Sequence, residues 1–408
     1  MKCGLLGRKL GHSYSPQIHG RLAAYSYELF EKEPEELADF LQNGDFTGIN
    51  VTIPYKKDVI PYCAELSPRA KALGSVNTIV RRADGSLIGH NTDYFGFETM
   101  LKESGWQVSG KKVLVLGSGG ASNTVVAVMQ EYGARVVVIS RSGEDNYDNL
   151  HRHSDAKVIV NTTPVGMYPN VGISPIDLEL FPQLEGVLDV IFNPCRTQIL
   201  LDAEKKGLVA MNGLLMLVAQ AKEASEWFTG STLSDEKIPE IYGALRQQME
   251  NIILIGMPGC GKSTVGKVLA NATGKELVDT DAYLVEKFGR PIPEIFASHG
   301  EVGFRQMETE VLAELGKRSG LIIATGGGCV TQERNYDLLH QNGTIFCLTR
   351  DLHKLPTKGR PLSQATDLME MYRVRKPLYQ RFADHHIDND HSAKKAAEQI
   401  LNIWEAQK

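Results

Sequence analysis

The chain has 408 residues, of which 42% are hydrophobic and 23% are charged, and its formal net charge is −5. Because domains average roughly 150 residues, this length predicts two or three domains of ordinary globular composition. The slightly acidic balance lacks the basic footprint of a nucleic-acid-binding protein. The N-terminus has no apolar run of signal-peptide length, and no run reaches membrane-spanning length. We therefore expect a cytoplasmic protein with neither a nucleic-acid partner nor a membrane partner.

The cysteine pattern argues against a metal or disulfide scaffold. Six cysteines are scattered along the chain without a C-x-x-C pair, and no H-E-x-x-H motif occurs. These spacings predict no zinc site. A chain this long with so few cysteines also does not indicate a disulfide framework.

Short apolar runs alternate with amphipathic stretches along the whole chain. Continuous β-branched runs separated by helical segments are typical of parallel sheets that are covered on both faces. The predicted class is α/β. The predicted buried strands cover residues 113–116, 136–139, 158–160, 187–191, 252–255, 321–324 and 344–348.

Three polar motifs precede residue 95, each where a strand gives way to a loop. The first contains Ser13 and Ser15, the second contains Lys56, and the third places Asn77 before Asp93. A lysine beside an aspartate can protonate the oxygen of a carbonyl that is being reduced. The set predicts a small, oxygen-rich substrate at strand ends, where α/β folds bind ligands. Taken singly, each residue is more simply interpreted as a surface polar group or a turn former.

A glycine-rich loop at residues 117–120 follows a predicted strand and opens a predicted helix. Such a loop lets backbone and helix N-terminus approach a pyrophosphate. After the next strand, where an NAD-binding unit carries an acidic residue, the chain has Ser140-Arg141-Ser142. An arginine flanked by hydroxyls suits a 2′-phosphate, so the pattern predicts NADP(H). An exposed arginine at a strand end is the alternative interpretation.

These motifs together resemble the shikimate dehydrogenase family, in the family's order, over about residues 1–249. The resemblance implies a substrate domain at about 1–95 and 215–249, and a Rossmann-like NADP-binding domain at about 96–214. It implies that Lys56 and Asp93 form the catalytic pair. The implied substrate contacts are Ser13 and Ser15 for the carboxylate, and Thr52, Asn77 and Gln220 for the ring hydroxyls. The implied cofactor contacts are Gly117, Gly119, Gly120, Ala121, Arg141, Gly213 and Met216.

A second glycine loop at residues 256–264 is a complete G-x-x-x-x-G-K-[ST] motif after a predicted strand. In such a P-loop, backbone N–H groups surround the phosphates, with Gly256, Gly259 and Gly261 giving the turns. Lys262 reaches the β/γ oxygens, Ser263 ligates Mg²⁺, and Thr264 follows in the helix. The polar stretch before it places the domain join near residues 249–250, which leaves 250–408 as a second, P-loop domain.

Further motifs narrow the kind of P-loop protein. Asp279 and Asp281 can divide their roles between Mg²⁺ and an acceptor hydroxyl, although an ordinary acidic turn is the alternative. Arg305 and Arg375 can each bind a carboxylate with a planar fork. Gly326, Gly327 and Gly328 end a strand and let a ligand approach the backbone. Arg360 lies in a stretch of lid-like composition, for which a solvated basic loop is the alternative.

The order and spacing of these elements resemble the shikimate kinase family over about residues 251–408. The resemblance implies that Asp279 faces Mg²⁺ and that Asp281 contacts the acceptor hydroxyl. Arg305, Arg375 and the three glycines would then surround shikimate, with Arg360 on the lid. The implied substrates and cofactors are ATP, Mg²⁺ and shikimate.

The sequence therefore predicts two consecutive reactions: reduction of 3-dehydroshikimate with NADPH, then phosphorylation of shikimate with ATP. Two alternatives stay open at this point. One is a quinate/shikimate dehydrogenase fused to a related small-molecule kinase, and the other is a non-catalytic nucleotide-binding sensor. The sequence does not distinguish a monomer from a homodimer.

Overall fold

The computed structural model describes residues 1–11, 13–355 and 368–406. They form two compact units. The first comprises Met1–Val165, Ser174–Phe192 and Asp202–Ala244, and the second comprises Gly166–Ile173, Asn193–Leu201 and Leu245–Lys408. Two short segments thus group with the second unit although they precede residue 250. The domain boundaries expected from the motifs otherwise stay a prediction.

The first unit begins with a six-stranded sheet in the order β2-β1-β3-β5-β6-β4. Strands β3 and β5 pair antiparallel, as do β5 and β6, so this sheet is mixed. Its strands are β1 (Lys2–Gly7), β2 (Ser26–Glu31), β3 (Gly48–Val51), β4 (Glu65–Leu66), β5 (Thr78–Arg81) and β6 (Leu87–His90). Its helices are α1 (Ser15–Leu22), α2 (Leu37–Asn43), α3 (Pro68–Leu73) and α4 (Asp93–Glu103).

The second sheet of this unit is parallel, in the order β11-β10-β9-β7-β8. Its strands are β7 (Lys112–Leu116), β8 (Arg135–Ile139), β9 (Val158–Asn161), β10 (Gly186–Asp189) and β11 (Val209–Met211). The accompanying helices are α5 (Gly120–Glu131) and α7 (Leu214–Thr229). Two more helices, α6 (Gln198–Lys205) and α8 (Lys237–Met249), each include residues of both units.

The second unit contains a parallel five-stranded sheet in the order β13-β14-β12-β15-β16. Its strands are β12 (Asn251–Ile255), β13 (Glu276–Asp279), β14 (Leu321–Ala324), β15 (Gly343–Thr349) and β16 (His385–Asp388). Its helices are α9 (Lys262–Thr273), α10 (Thr280–Phe288), α11 (Ile292–Leu315), α12 (Asn335–His340), α13 (Leu368–Phe382) and α14 (Ala393–Ala406). Helix α11 is kinked at Gly300, whose φ is 64°.

Most of the apolar runs became buried strands, because a central strand of a covered parallel sheet has no solvent face. The run 136–139 is the exception: it lies in the edge strand β8, where only Ile139 is buried and the three valines are half-buried. Ile252 to Ile255 in β12 are fully buried, and so are Val113 to Leu116 in β7. The predicted α/β class with parallel sheets is confirmed, with the mixed first sheet as an addition. Within the part of the chain that the structure describes, every helix falls short of a membrane span in length or in apolar content.

Candidate active sites

The first unit brings Lys56, Asn77 and Asp93 into direct contact. The Lys56 ammonium donates to one oxygen of the Asp93 carboxylate at 2.6 Å, and the Asn77 amide donates to the other at 2.9 Å. Asp93 is the first residue of α4 and is buried, whereas the Lys56 side chain is 20% exposed. A lysine oriented in this way, with part of its surface open, can transfer a proton to a bound oxygen.

Helix α7 adds Gln220 to this cluster. Asn77 and Thr92 both donate to the Gln220 side-chain oxygen at 3.4 Å. The helices α4 and α7 approach closely because Gly96 has no side chain: a Cβ there would lie 2.6 Å from the backbone oxygen of Met216. Sequence reasoning did not single out Thr92, although it directly precedes Asp93.

The serine pair lies at the start of α1. The Ser13 hydroxyl accepts a bond from the Ser15 backbone N–H at 3.2 Å, and the Ser15 side chain is buried. Thr52 directly follows β3, and its backbone N–H donates to the Leu6 carbonyl. Their contacts with a substrate stay a prediction.

The first glycine loop lies beside Lys56. Gly117 ends β7 with a φ of 105°, a conformation that favours glycine. Gly119 caps α5, and the space where its Cβ would point is open. A Cβ at Gly120 would lie 3.8 Å from Lys56 Cδ. The helix start suits a pyrophosphate, and a group held there would sit near Lys56.

The other predicted cofactor residues occupy different surroundings. Arg141 is exposed, two residues beyond the end of β8, and Ala121 lies in the first turn of α5. Gly213 caps α7 and is packed so tightly that a Cβ would lie 2.1 Å from the Val190 carbonyl oxygen. Met216 is buried in the first turn of α7. Their geometry is compatible with a dinucleotide, and their roles stay predictions.

In the second unit, residues 256–261 form the loop between β12 and α9. Gly256, Gly259 and Gly261 all have positive φ, which explains why glycine is needed at these turns. The Lys262 ammonium donates to the backbone oxygens of Gly256 and Met257 at 2.9 and 3.1 Å. Asn389, which sequence reasoning missed, donates to the Cys260 carbonyl at 2.7 Å and braces the loop.

Ser263 and Asp279 form a pair of oxygen donors at this loop. The Ser263 hydroxyl donates to an Asp279 oxygen at 2.7 Å. A hydroxyl and a carboxylate are oxygen ligands of the kind that Mg²⁺ prefers. The described residues contain no cluster of three or more His, Cys, Asp or Glu side chains suited to a metal.

A cavity of about 750 Å³ extends from this loop. Within it, Gly326 has its bare backbone against two acids, since a Cβ there would lie 2.8 Å from an Asp281 oxygen and 2.7 Å from a Glu308 oxygen. The predicted residues that line it are Gly259, Gly261, Lys262, Ser263, Thr264, Asp279, Asp281, Arg305, Gly326, Gly327, Gly328 and Arg375. Arg360 lies outside the described residues.

The two predicted substrate arginines are held by neighbours. Arg305 donates to the buried Glu308 at 2.7 Å and to Glu301 at 3.3 Å. Arg375 donates to the Gly327 carbonyl at 3.2 Å, and the Tyr379 hydroxyl donates to the same oxygen at 2.5 Å.

Burial raises the pKa of Glu308, while the nearby Arg305 opposes that rise. Glu308 was missed in the sequence, although its position one helical turn after Arg305 was the available signal.

The geometry therefore defines a two-site α/β enzyme, with a lysine–aspartate pair beside a dinucleotide-type loop and a P-loop that opens onto an acidic and arginine-lined cavity. Residues 5–79 match the family model described as shikimate dehydrogenase substrate binding domain, and residues 258–405 match the model described as shikimate kinase.

The NADP(+)-dependent shikimate dehydrogenase of Caldicellulosiruptor bescii is 37% identical over 273 residues, which are 59% of this chain and 93% of that protein. Shikimate dehydrogenase 1 of Peptoclostridium difficile has a TM-score of 0.56 at 36% identity, covering 60% of this chain and 97% of that one. The Thermus thermophilus enzyme, solved with NADP(H) and shikimate, has a TM-score of 0.55 at 31% identity, covering 59% and 98%. The chain belongs to the shikimate dehydrogenase family and carries, in addition, a shikimate kinase domain.

Proposed function

We propose that the chain catalyses two consecutive steps of aromatic amino acid biosynthesis. The first unit reduces 3-dehydroshikimate to shikimate with NADPH, and the second phosphorylates shikimate with ATP to shikimate 3-phosphate. One observation carries this proposal: the same chain matches both family models, and each matched unit brings a pair of its proposed site residues into contact. The product of the first reaction is the substrate of the second.

In the first reaction, Lys56 holds the proton that passes to the substrate oxygen, and Asp93 orients the ammonium at 2.6 Å. Ser13 and Ser15 bind the substrate carboxylate, while Thr52, Asn77 and Gln220 contact the ring hydroxyls. The residues that would hold NADPH are those of the 117–121 loop, with Arg141, Gly213 and Met216 around it. NADPH, when bound, supplies the hydride.

In the second reaction, the loop N–H groups and Lys262 bind the phosphates of ATP, and Asp281 accepts the proton of the attacking hydroxyl. Arg305 and Arg375 bind the carboxylate of shikimate, beside the bare backbone of residues 326–328. Ser263 and Asp279 would hold Mg²⁺, which neutralises phosphate charge when bound. Arg360 is proposed to act on the transferring phosphate, from outside the described residues.

The proposal includes a cytoplasmic location, the small-molecule substrates 3-dehydroshikimate and shikimate as partners, no nucleic-acid or membrane partner, and a monomer or homodimer. The location and the partners are inferred from the composition and the charge.

One pair of assays tests the function. Purified protein receives shikimate and NADP⁺ while NADPH absorbance is followed, and then shikimate and MgATP while ADP release is followed. Activity in both assays is expected. Turnover of quinate in place of shikimate would reject the assigned substrate, and nucleotide binding without turnover in either assay would favour the sensor alternative.

A further inference from the structure

A chain of hydrogen bonds, buried from Asn50 onward, runs from Tyr27 to Asp93 in the first unit. Its central members are Tyr27 on β2, Asn50 on β3 and Thr78 on β5. The antiparallel register of β3 and β5 sets Asn50 opposite Thr78. The Tyr27 hydroxyl lies 2.7 Å from Asn50, the Asn50 amide lies 3.1 Å from Thr78, and the Thr78 hydroxyl lies 3.2 Å from Asn77.

Two backbone groups fix the direction of this chain. The Thr92 backbone N–H, which can only donate, lies 2.7 Å from Asn77, so an oxygen of the Asn77 amide must face it. The amide nitrogen of Asn77 therefore faces Asp93, at 2.9 Å. The Asn77 carbonyl, which can only accept, lies 3.5 Å from the Asn50 amide. The nitrogen of that amide therefore faces Asn77 and Thr78, and its oxygen faces Tyr27.

Every donor in this series of hydrogen bonds consequently points toward Asp93. Tyr27 donates to Asn50, Asn50 donates to Thr78, and the Thr78 hydroxyl is left to donate onward. Its possible acceptors are Asn77 and, also at 3.2 Å, Thr92, which are both members of the same cluster. Hydrogen bonds aligned in one direction polarise and strengthen one another in a buried site.

The upstream end of the chain is also held in place. His19 is fully buried and stacks on the Tyr27 ring, with centroids 4.0 Å apart and planes 9° from parallel. Burial lowers the pKa of His19 to about 3, so the ring is neutral, and burial raises the pKa of Tyr27 well above its ordinary value, so its hydroxyl remains a donor.

We propose that Tyr27 and Thr78 are positioning residues for the reduction: they orient the Asn77 amide and, through it, the Asp93–Lys56 pair. Neither residue is expected to touch substrate. Their loss disturbs the geometry of the catalytic pair more than the binding of the cofactor. This inference rests on the proposed dehydrogenase function, which the same experiment checks separately through the unsubstituted chain.

Steady-state kinetics of shikimate oxidation by NADP⁺ test the inference in the full chain. Thr78→Val, which removes the hydroxyl, should lower kcat about tenfold, the order that one lost hydrogen bond gives. The KM for NADP⁺ should stay unchanged. Thr78→Ser keeps the hydroxyl and should restore most of kcat. The kinase rate of the same preparation should not change, and the unchanged KM for NADP⁺ reports that the first unit is still folded.

Two neighbouring tyrosines supply a matched control. Tyr25 also packs on His19, but its hydroxyl bonds His19 and Ser225, away from Asp93. Tyr27→Phe should lower kcat, whereas Tyr25→Phe should not. Because Tyr27 and Thr78 act through the same amide, the double variant Tyr27→Phe/Thr78→Val should lose little more than the larger single loss.

Equal losses in Thr78→Val and Thr78→Ser, or in the two tyrosine variants, would assign these residues to packing alone and overturn the inference. A wild-type kcat in Thr78→Val would also overturn it. If the unsubstituted chain did not oxidise shikimate with NADP⁺, the dehydrogenase function itself would fail and the inference with it.

Discussion

The Ser263 hydroxyl donates a 2.7 Å hydrogen bond to the Asp279 carboxylate, which joins the start of α9 to the end of β13. The other Asp279 oxygen accepts from the backbone N–H groups of Asp281 and Ala282, at 3.1 and 3.3 Å, and so caps α10. One aspartate thus performs two tasks with two oxygens. The oxygen on the Ser263 side is the one available to a divalent cation.

We predict that Asp279→Asn raises the Mg²⁺ concentration needed for half-maximal kinase activity by at least about tenfold, because a neutral amide is a weaker ligand than a carboxylate. The fold should be retained, since asparagine also caps helices well. A Mg²⁺ titration of ADP release measures the effect. Glu276→Gln, at the exposed start of the same strand, is the control, and an unchanged titration in Asp279→Asn would reject the metal role.

The close approach of Gly328 to Arg305 gives a second prediction. A Cβ at Gly328 would lie 2.1 Å from an Arg305 nitrogen, whereas the backbone there has φ −103° and imposes no strain on alanine. Gly328→Ala should therefore displace the guanidinium and raise the KM for shikimate in the kinase assay about tenfold or more. The KM for ATP should change little.

Gly243→Ala is the matched control for that substitution, because the space around its Cβ position is open. An increase in the KM for ATP alone would place Arg305 on the nucleotide instead of on shikimate.

The proposed roles of Lys56 and Lys262 give reciprocal expectations. Lys56→Ala should abolish shikimate oxidation and leave ADP release intact, because Lys56 is the proposed proton donor of the first unit. Lys262→Ala should do the reverse, since the phosphates lose their loop cation. Both assays are run on each preparation. If either substitution abolished both activities while the protein remained folded, the two sites would not be chemically independent.

Contiguous motifs made much of the site predictable from the sequence. The P-loop and the glycine loop are encoded by local spacing after a strand, and the structure places both at helix starts. The Lys56–Asp93 contact joins residues 37 positions apart, and it was expected from the family resemblance of the two motifs. From the residues alone, each motif was expected only at the end of a strand, where α/β folds bind ligands.

Other contacts were not predictable, because they depend on tertiary pairing between ordinary residue types. Asn389 reaches the Cys260 carbonyl across 129 positions, and no spacing rule marks an asparagine for that task. Thr78 and Tyr27 look like common strand residues until the sheet register sets them in line. The grouping of Asn193–Leu201 with the second unit likewise has no local signal.

That segment gives a prediction on stability. Within the second unit, Arg196 donates to the carbonyl oxygens of His340, the last residue of α12, at 3.1 Å, and of Gly343 at 3.5 Å. A cation that binds carbonyls at a helix C-terminus is stabilising. Arg196→Ala should lower the free energy of unfolding of this unit by about 1–3 kcal/mol.

The loss of kinase activity after timed heating measures this effect, with the exposed Arg290→Ala as the control. Equal heat inactivation of the two variants would show that the Arg196 contacts contribute nothing measurable.

The last prediction concerns pH and Glu223 on α7. Burial raises the pKa of its carboxyl to about 7, against the opposing charge of Arg69 at 3.7 Å. The folded state therefore holds the proton more tightly than the unfolded state, whose pKa is near 4.5. This contribution to stability is fully present below pH 4.5 and is lost as the pH rises through 7. The first unit should become less stable between about pH 5 and pH 8.

Glu223→Gln removes the titration and keeps the shape of the side chain. At about pH 8 the variant should be more stable than the unsubstituted chain by on the order of 1–3 kcal/mol, and its stability should change less as the pH rises from about 5 to 8. Heat inactivation of the dehydrogenase activity at several pH values measures the slope. Glu103→Gln is the control: Glu103 lies at the end of α4, and its side chain is exposed to solvent in both the folded and the unfolded state. This substitution should leave the slope unchanged. If stability changed with pH equally in Glu223→Gln and in the parent, Glu223 would be ionised in the folded state. The effect of Arg69 on the pKa of Glu223 would then outweigh the effect of burial.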